Sequence, residues 1–279
     1  MRFLTYYAED TIKLGLVSEE GVIETGITPH EFYRAGNAGL DAMRVLLDKP
    51  SQTISEDSLK LAPVVPHPSK IICVGLNYRK HAAESGMAEP SSPVLFSKFN
   101  NAIAAHNEGI PFSSEYKQVD YEAELVVVMG KEAKNVSEAD ALDYVLGYCN
   151  GDDLSERALQ LQMPGGQWLL GKTPDKFMPI GPYLVTADEV GDPQDMSIKG
   201  WLNGELRQDS HTSDMIFTVA EAIAFASRFM TLYSGDIIST GTPEGVILGM
   251  AEKQWMQVGD EYTVEIGNLG RLTNKLVAG

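Results

Sequence analysis

The sequence contains little cysteine, which excludes two ways of stabilising a small fold. Two cysteines occur in 279 residues, Cys73 and Cys149. Each lies in an apolar, strand-like run, a setting typical of buried free thiols. Their number and spacing fit neither a disulfide framework nor a zinc site. We therefore expect a chain that is stabilised by its own hydrophobic core, in a reducing compartment.

Long apolar runs are also missing. No stretch approaches the roughly 20 consecutive apolar residues that a membrane-spanning helix needs. The first ten residues, Met1 to Asp10, lack the apolar run of a signal peptide. From these two absences we expect no membrane partner and a cytoplasmic location.

Positive charge is scarce, with 22 lysines and arginines against 39 acidic residues and a formal net charge of −17. Such a chain repels nucleic-acid phosphates, so we expect no nucleic-acid partner. A small anionic substrate remains compatible with this charge, provided that the binding site supplies local positive charge. A metal ion together with a lysine would suffice.

The hydrophobic pattern changes near residues 60–68, where several prolines interrupt the periodicity. Before this point, residues 2–25 predict short strands and residues 29–48 predict a helix. After it, strands are predicted at 70–75, 94–98, 120–129, 144–149, 182–186, 197–203, 236–240 and 261–266. Helices are predicted near 78–86, 137–144, 154–162 and 217–231. The pattern indicates an α+β, β-dominated fold, with a small N-terminal domain (1–62) and a larger domain (68–279).

Three acids alternate along one predicted strand. Because strand side chains point alternately to opposite faces, Asp120, Glu122 and Glu124 should share one face. Carboxylates this close repel one another, and a hard cation such as Mg²⁺, Mn²⁺ or Ca²⁺ removes that cost. The simpler interpretation is a half-exposed strand with its acids in water. The apolar run at residues 126–128 favours burial, and therefore the metal site.

A second acidic position follows the apolar run that ends at Cys149. Asp152 and Asp153 stand at the end of a predicted strand and just before a predicted helix. An aspartate in that place often caps the helix. One of the two could cap while the other binds the cation.

Two further motifs carry candidate catalytic side chains. Lys172, which follows a glycine, could hold a substrate carboxylate or enolate, although a loop lysine in water is the commoner case. Asn77 suits a helix N-cap and Gly86 a helix end. On that helix His81 and Glu84 share a face. A carboxylate raises the basicity of a neighbouring imidazole, so the pair could activate water, and the alternative is a surface ion pair.

In this order the motifs resemble those of the fumarylacetoacetate hydrolase family, over roughly residues 68–277. The resemblance is carried by Cys73-Val74-Gly75-Leu76-Asn77-Tyr78 with His81 and Glu84, Tyr121-Glu122-Ala123-Glu124-Leu125, Asp153-Leu154-Ser155-Glu156-Arg157, Gln167-Trp168 with Gly171-Lys172, Gly181-Pro182, Arg207-Gln208-Asp209, Asp214-Met215-Ile216-Phe217 and Thr240-Gly241-Thr242-Pro243-Glu244-Gly245. Two positions depart from the family pattern, since Asp152 stands where asparagine is usual and Ala158 where aspartate is usual. The extra charge at Asp152 is expected to affect metal preference or hydrogen bonding beside the ligands. His211 is expected in a surface loop.

The resemblance implies a mixed β-sandwich roll that is usually dimeric, preceded by a small β-rich domain. It implies a divalent cation, for which we expect Mg²⁺ or Mn²⁺, with Ca²⁺ able to bind in vitro, and its ligands would be Glu122, Glu124 and Asp153. The residues expected to contact the substrate are Lys172, Thr242, Gly241 and Arg79. The catalytic group is expected to consist of Lys172 and of two residues on a mobile lid, His81 and Glu84.

The first functional hypothesis is hydrolysis of a carbon–carbon bond in an acylpyruvate-like 2,4-dioxo acid. The metal and Lys172 would stabilise the enolate that leaves, and His81, oriented by Glu84, would deprotonate the attacking water. Oxaloacetate decarboxylation, or a related isomerase or lyase reaction on 2-oxo acids, is the alternative, because it needs the same enolate. A third hypothesis is a non-catalytic scaffold that keeps the fold, against which the complete set of site residues argues.

Overall fold

The computed structural model describes residues 1–48 and 52–279. Within them lie nineteen strands: β1 (Arg2–Ala8), β2 (Thr11–Ser18), β3 (Gly21–Glu24), β4 (Thr53–Ile54), β5 (Leu61–Ala62), β6 (Ile71–Gly75), β7 (Val94–Lys98), β8 (Ile103–Ala104), β9 (Gly109–Phe112), β10 (Val119–Asp120), β11 (Ala123–Met129), β12 (Val145–Asp152), β13 (Ser155–Glu156), β14 (Met178–Thr186), β15 (Ser197–Leu202), β16 (Glu205–His211), β17 (Ile237–Ser239), β18 (Glu261–Ile266) and β19 (Arg271–Ala278).

The same residues contain six α-helices: α1 (Pro29–Ala35), α2 (Leu40–Asp48), α3 (Arg79–Glu84), α4 (Trp168–Lys172), α5 (Ala187–Val190) and α6 (Val219–Phe229). Short 3₁₀ turns lie at Gly36–Gly39, Glu56–Ser58, Asn100–Ala102, Ala141–Tyr144, Thr212–Asp214 and Ile247–Gly249, and a π-helical turn at Ala158–Gln162. Across residues 1–48 and 52–279, no helix has the length and apolar content needed to cross a membrane.

The main sheet has twelve strands and carries the candidate site. Its order is β4-β3-β2-β1-β14-β12-β11-β17-β6-β7, with β5 beside β1 and β8 beside β14. The central strands β11 and β12 form an antiparallel pair, and every residue of both is buried. Burial on both faces is what the apolar run at residues 126–128 predicted.

A second sheet, with the order β16-β15-β18-β19-β9, packs against the first. Alternate residues of β18 point inward, namely Tyr262, Val264 and Ile266, and they join one core with Leu125 and Val127 of β11. Most strand pairs are antiparallel, whereas β6–β17, β8–β14 and β9–β19 are parallel. The predicted fold class, a β-dominated α+β fold with a mixed β-sandwich, is confirmed.

The N-terminal strands continue the main sheet. Arg2 and Phe3 of β1 pair with Val185 and Leu184 of β14. Side chains of the first 48 residues, such as Phe32, also share a core with residues of β11 and β12. One sheet and one core run through the proposed boundary. The separate small domain over residues 1–62 stays a prediction.

The predicted strand at residues 120–129 is interrupted, and the continuous version was wrong. β10 pairs with β13, β11 pairs with β12 and β17, and Tyr121 and Glu122 lie between them. At the break, side chains replace the ladder: the Asp152 carboxylate accepts from the Glu122 amide at 3.0 Å, and Gln208 Oε1 accepts from the Ala123 amide at 2.9 Å. The interruption therefore keeps its main-chain groups satisfied.

Helices were predicted less well than strands. The helix at 217–231 is confirmed as α6, and the helix near 78–86 as α3, whereas the helix at 29–48 is divided by the 3₁₀ turn Gly36–Gly39. The predicted helix at 154–162 was wrong, because Ser155 and Glu156 pair with β10 and only a π-helical turn follows. The prediction for 137–144 was also wrong, since only a 3₁₀ turn forms at Ala141–Tyr144.

Candidate metal centre and active-site cavity

Three buried carboxylates come together at the end of the β11–β12 hairpin. Each of Glu122, Glu124 and Asp153 offers an oxygen, and these oxygens lie within 4.8 Å of one another. Asp153 follows β12 directly, and its amide donates to the main-chain oxygen of Glu122 at 2.9 Å. Hairpin pairing therefore brings an aspartate from one strand end next to two glutamates from the other. This group could hold a divalent cation.

The surroundings of Glu124 test whether a cation fits. Its Oε2 accepts from Ser239 Oγ at 2.5 Å and from the Gly241 amide at 2.9 Å. Burial, together with the charges of Asp153 and Glu122, holds the pKa of Glu124 well above its usual value. Carboxylate oxygens are the ligands that Mg²⁺ and Mn²⁺ prefer, and a cation would offset this repulsion. The residues present fit such an ion.

Two lysines balance part of the negative charge. Lys172, at the end of α4, is buried, and its Nζ lies 2.7 Å from Glu122 Oε2 and 2.8 Å from Asp153 Oδ2. Burial lowers the pKa of Lys172, but Asp153 and Glu122 outweigh it and the net shift is upward. Lys98, at the end of β7, contacts Asp153 Oδ1 and donates to the main-chain oxygen of Phe177 at 2.6 Å. Lys172 is thus a buried part of the site, and Lys98 is a member that sequence reasoning missed.

Arg157 joins Glu122 to an acid outside the group. Its Nη2 lies 2.5 Å from Glu122 Oε1, and its Nε donates to Asp120 Oδ2 at 2.9 Å. Burial opposes ionisation of Glu122, but Lys172 and Arg157 prevail and lower the pKa of Glu122. Asp120, predicted on the same face as the glutamates, instead accepts from Arg157 and from main-chain amides of a neighbouring loop. The sequence did not predict this contact of Arg157 with both Asp120 and Glu122, because the arginine and the two acids belong to different motifs.

Asp152, the departure from the family pattern, lies beside the group and does not cap a helix. Its Oδ1 accepts from the Glu122 amide at 3.0 Å, and the residue is 3% exposed. Burial raises the pKa of Asp152 to about 8 from a usual value of 3.8, against the opposing effects of that hydrogen bond and of Lys98. In the metal-free protein, a pKa of about 8 leaves Asp152 mostly protonated at pH 7.

Asp152→Asn is expected to stabilise the metal-free protein at high pH. Between pH 4 and 8 the unfolded chain ionises Asp152 while the folded protein keeps the proton, so stability falls as pH rises. Asparagine keeps the acceptor for the Glu122 amide and removes this cost. We expect a gain of roughly 5 kcal/mol at pH 8 that shrinks toward pH 4. Urea unfolding in EDTA at several pH values measures it, and a gain independent of pH would contradict it.

A cavity of about 530 Å³ opens onto the carboxylates. Its polar lining includes residues from the predicted set, namely His81, Glu84, Glu122, Glu124, Lys172, Gly241 and Thr242. Its apolar lining includes Phe96, Leu161, Trp168 and Leu248. A larger groove of about 950 Å³, lined by residues such as His30, His67 and Tyr233, lies elsewhere. We assign the candidate site to the smaller cavity because the buried charges lie there.

The helix α3 places the predicted His81–Glu84 pair over this cavity. His81 Nδ1 lies 3.6 Å from Glu84 Oε2, and within the described part of the chain it has no hydrogen-bond partner. That separation is too long for a hydrogen bond. Glu84 instead accepts from the Gly245 amide at 3.2 Å. Both side chains are therefore adjacent to the carboxylates, but they do not form a hydrogen-bonded pair.

The base of α3 is fixed by contacts that differ from the predicted ones. The Asn77 side chain does not cap the helix, so that prediction was wrong. It donates to the main-chain oxygens of Thr240 at 2.7 Å and Phe217 at 3.0 Å. The Arg79 guanidinium, expected near the substrate, donates to the main-chain oxygens of Asp214 and Met215. These contacts hold α3 against the segment that precedes α6.

The Thr240–Gly241–Thr242 turn supplies the remaining wall. Gly241 has a φ of 95°, and a Cβ there would lie 2.7 Å from Asn77 Cβ, so a glycine is required. Thr242 Oγ1 accepts from Gln208 Nε2 at 2.9 Å. The hydroxyl proton of Thr242 is therefore left to donate elsewhere. Gln208, which also accepts from the Ala123 amide, is another residue whose role the sequence did not indicate.

Comparison with known proteins identifies relatives for most of the chain. A family model described as fumarylacetoacetate (FAA) hydrolase C-terminal matches residues 70–277. The oxaloacetate tautomerase fahd2, mitochondrial, of Xenopus laevis is 40% identical over 247 residues, which cover 88% of this chain and 77% of that protein.

Solved structures of two bacterial proteins superpose over the full length of both chains. One is 5-carboxymethyl-2-hydroxymuconate delta-isomerase from Mycobacterium smegmatis, with 31% identity and a TM-score of 0.82. The other is maleylpyruvate hydrolase from Sphingobium sp. SYK-6, with 30% identity and the same TM-score, 0.82. The matched proteins thus include a tautomerase, an isomerase and a hydrolase.

Proposed function

This chain belongs to the fumarylacetoacetate hydrolase family, as its motifs predicted, and from that premise we propose that it catalyses keto–enol tautomerisation of oxaloacetate or a similar 2-oxo acid. Tautomerisation, isomerisation and hydrolysis in this group of relatives can share one chemical need, which is to stabilise an enolate next to a carboxylate. Tautomerisation ranks above the hydrolysis that the motifs alone favoured, because a relative of 40% identity is named for it.

One observation carries the proposal: the buried ammonium group of Lys172 lines the same cavity as Glu122 and Glu124, and Asp153 lies next to these two glutamates. Lys172 Nζ lies within 2.8 Å of both Glu122 and Asp153. A divalent cation, which we take to be Mg²⁺ or Mn²⁺ with Ca²⁺ as an in vitro substitute, supplies positive charge to the oxygens of a 2-oxo acid when Glu122, Glu124 and Asp153 hold it. Lys172 stays protonated there, and its charge favours the enolate over the neutral ketone.

Proton transfer falls to the pair on α3. In ketonisation the enol oxygen loses its proton and carbon 3 gains one, so the site needs a group that accepts and returns protons. His81 is suited to this, because it lines the cavity and its Nδ1 is unpaired among the described residues. Glu84 lies 3.6 Å away on the same helix, and a small rotation of either side chain would close that gap into a hydrogen bond. Thr242 can donate its hydroxyl proton to a substrate oxygen.

Hydrolysis of an acylpyruvate-like 2,4-dioxo acid is the second candidate, and the cavity favours it. A volume of about 530 Å³ exceeds what oxaloacetate fills, and Phe96, Leu161 and Trp168 give one wall an apolar surface. Such a wall suits a longer acyl group. In this reaction His81 would take a proton from water, and the water oxygen would attack the distal carbonyl.

A substrate panel separates these reactions. Enol-oxaloacetate, keto-oxaloacetate and acetylpyruvate are each incubated with protein and Mg²⁺ or Mn²⁺, and compared with metal alone. Faster loss of enol absorbance without pyruvate or carbon dioxide supports tautomerisation. Pyruvate and acetate from acetylpyruvate support hydrolysis, and carbon dioxide from oxaloacetate supports decarboxylation. Rates equal to metal alone for every substrate would contradict all three, and favour the scaffold hypothesis.

Lys172→Met is expected to slow turnover by about 100-fold, the effect of losing one preorganised charge beside a developing oxyanion. Mn²⁺ affinity should not fall, since Lys172 competes for two of the carboxylates. Lys70→Met is the matched control, because Lys70 pairs with the buried carboxylate of Asp236 away from the cavity, at 2.7 Å. Steady-state kinetics and Mn²⁺ titration measure both effects. Equal loss of turnover in both variants would contradict the role of Lys172.

A further inference from the structure

The carboxylate of Glu84 rests on a glycine-rich loop, residues 245–249, which we call the lid seat. The Gly245 amide donates to both oxygens of Glu84, at 3.3 and 3.2 Å. A Cβ on Gly249 would lie 2.4 Å from Glu84 Cδ, so only glycine leaves room for this contact. The position of the lid seat therefore sets the position of Glu84 relative to His81.

The lid seat is held from beneath by two neighbouring residues that are fully buried, Asp120 and Tyr121. The Tyr121 hydroxyl donates to the main-chain oxygen of Gly245 at 2.9 Å. The Asp120 carboxylate accepts from the amide of Ile247 at 2.8 Å and from that of Leu248 at 3.1 Å. Asp120 holds the loop through two hydrogen bonds and Tyr121 through one, so Asp120 is the firmer of the two holds.

The same Asp120 carboxylate faces the candidate metal ligands. Its Oδ2 accepts from Arg157 Nε at 2.9 Å, and Arg157 Nη2 lies 2.5 Å from Glu122 Oε1. The Asp120 carboxylate thus accepts hydrogen bonds from two sides. On one side the donor is the Arg157 guanidinium, which also contacts Glu122, and on the other side the donors are two main-chain amides of the lid seat. A fully buried acid is stable only with such partners, and losing any of them affects the others.

We propose that Asp120 is a positioning residue that fixes Glu84, through the lid seat, relative to Glu122, through Arg157. Its effect on turnover rests on the proposed function, whereas the linkage between the two ends can be measured without a substrate. If Asp120 acts in this way, the contribution of Glu84 depends on Asp120, although the two side chains are joined only through the loop.

A double-mutant cycle with Asp120→Asn and Glu84→Gln tests the dependence. We expect Asp120→Asn to lower kcat about 30-fold with a smaller change in KM. Glu84→Gln should lower kcat about 10-fold in the parent and less than about 3-fold in the Asp120→Asn background. A coupling of this size is within the range measured for residues that are linked. Asp236→Asn is the matched control, since Asp236 is equally buried and accepts from the amides of Lys70 and Tyr233 away from the cavity. If Glu84→Gln lowered kcat by the same factor in the Asp120→Asn background as in the parent and in the Asp236→Asn background, the proposal would be overturned.

A second variant removes one contact without touching the carboxylate. Ile247→Pro deletes the amide that donates to Asp120, and the extended Val246 (ψ 152°) is compatible with a following proline. Ile247→Val is its control, because it shortens the side chain and keeps the amide. Hydrogen exchange of the amides of residues 79–86 is measured with Mn²⁺ and oxalate. We expect about 10-fold faster exchange in Ile247→Pro and Asp120→Asn than in Ile247→Val. Unchanged exchange in both would overturn the proposal, and this result stands whether or not a 2-oxo acid is turned over.

Discussion

Glu124→Gln is expected to abolish most divalent-cation binding while it stabilises the metal-free protein. Because loss of an indirect partner of a metal ligand already costs about 10- to 100-fold in affinity, we expect loss of a ligand charge to cost at least about 100-fold. Glutamine keeps the shape of the side chain and an acceptor for Ser239 and the Gly241 amide. Turnover at limiting Mn²⁺ should fall by a similar factor, and calorimetric titration measures the affinity.

The gain in metal-free stability should depend on pH in one direction. The folded protein holds the pKa of Glu124 above its usual 4.5, since burial and the charges of Asp153 and Glu122 disfavour ionisation. As pH rises above 4.5 the unfolded chain loses this proton and the folded protein keeps it, so the cost grows. We expect Glu124→Gln to raise the free energy of unfolding at pH 8 in EDTA, and to raise it less at pH 5, as measured by urea unfolding at both pH values.

Glu156→Gln provides a matched control for the metal experiment. Glu156 is also fully buried, but its carboxylate accepts from the amides of Lys117 and Gln118 at 2.8 and 2.7 Å and lies outside the trio. It should bind Mn²⁺ like the parent. If Glu124→Gln and Glu156→Gln bound Mn²⁺ equally well, Glu124 would not be a ligand.

The sequence predicted the sheet better than the connections within it. Residues 126–128 are apolar without interruption inside a strand, so their burial follows from composition alone. The break at Tyr121 and Glu122 could not be predicted, because it depends on Asp152 and Gln208, which come from distant segments. Strand β16 was missed because Glu205–His211 is rich in polar residues. His211, expected in a loop, is its last residue.

The order of the motifs along the sequence predicted those site residues whose type and spacing alone indicate a role. The sequence predicts Glu122, Glu124 and Asp153 as one acidic group, and the hairpin places their oxygens within 4.8 Å of one another. Lys98 and Asp120 were not assigned roles, since a lysine at a strand end and an acid before a tyrosine are common. Their importance comes from partners far along the chain, Asp153 and the amide of Ile247. The homodimer expected from the resemblance stays a prediction, which sedimentation equilibrium can test.

His81→Gln is the prediction that decides whether a side chain on α3 moves protons. A positioned general acid–base group contributes about 10²- to 10⁴-fold, and we expect a loss of about 1,000-fold in kcat for enol-oxaloacetate. Glutamine has a similar reach and can hydrogen-bond, but it cannot exchange a proton near neutral pH. Mn²⁺ affinity should stay within about twofold, because His81 is separate from the three carboxylates that form the candidate site.

Two variants and a second substrate make this result specific. His211→Gln should retain turnover, since its half-exposed side chain contacts Ser213 and Asp195 at the surface. Glu84→Gln should cost only about 10-fold, because it orients the imidazole and does not itself transfer the proton. If hydrolysis is the reaction, His81→Gln should stop acetylpyruvate cleavage to the same degree, because water then needs the same base. Should the variant turn over both substrates at the parental rate, the proton must be moved by another group in the cavity. Lys172 would be the next to test, because it lines the same cavity.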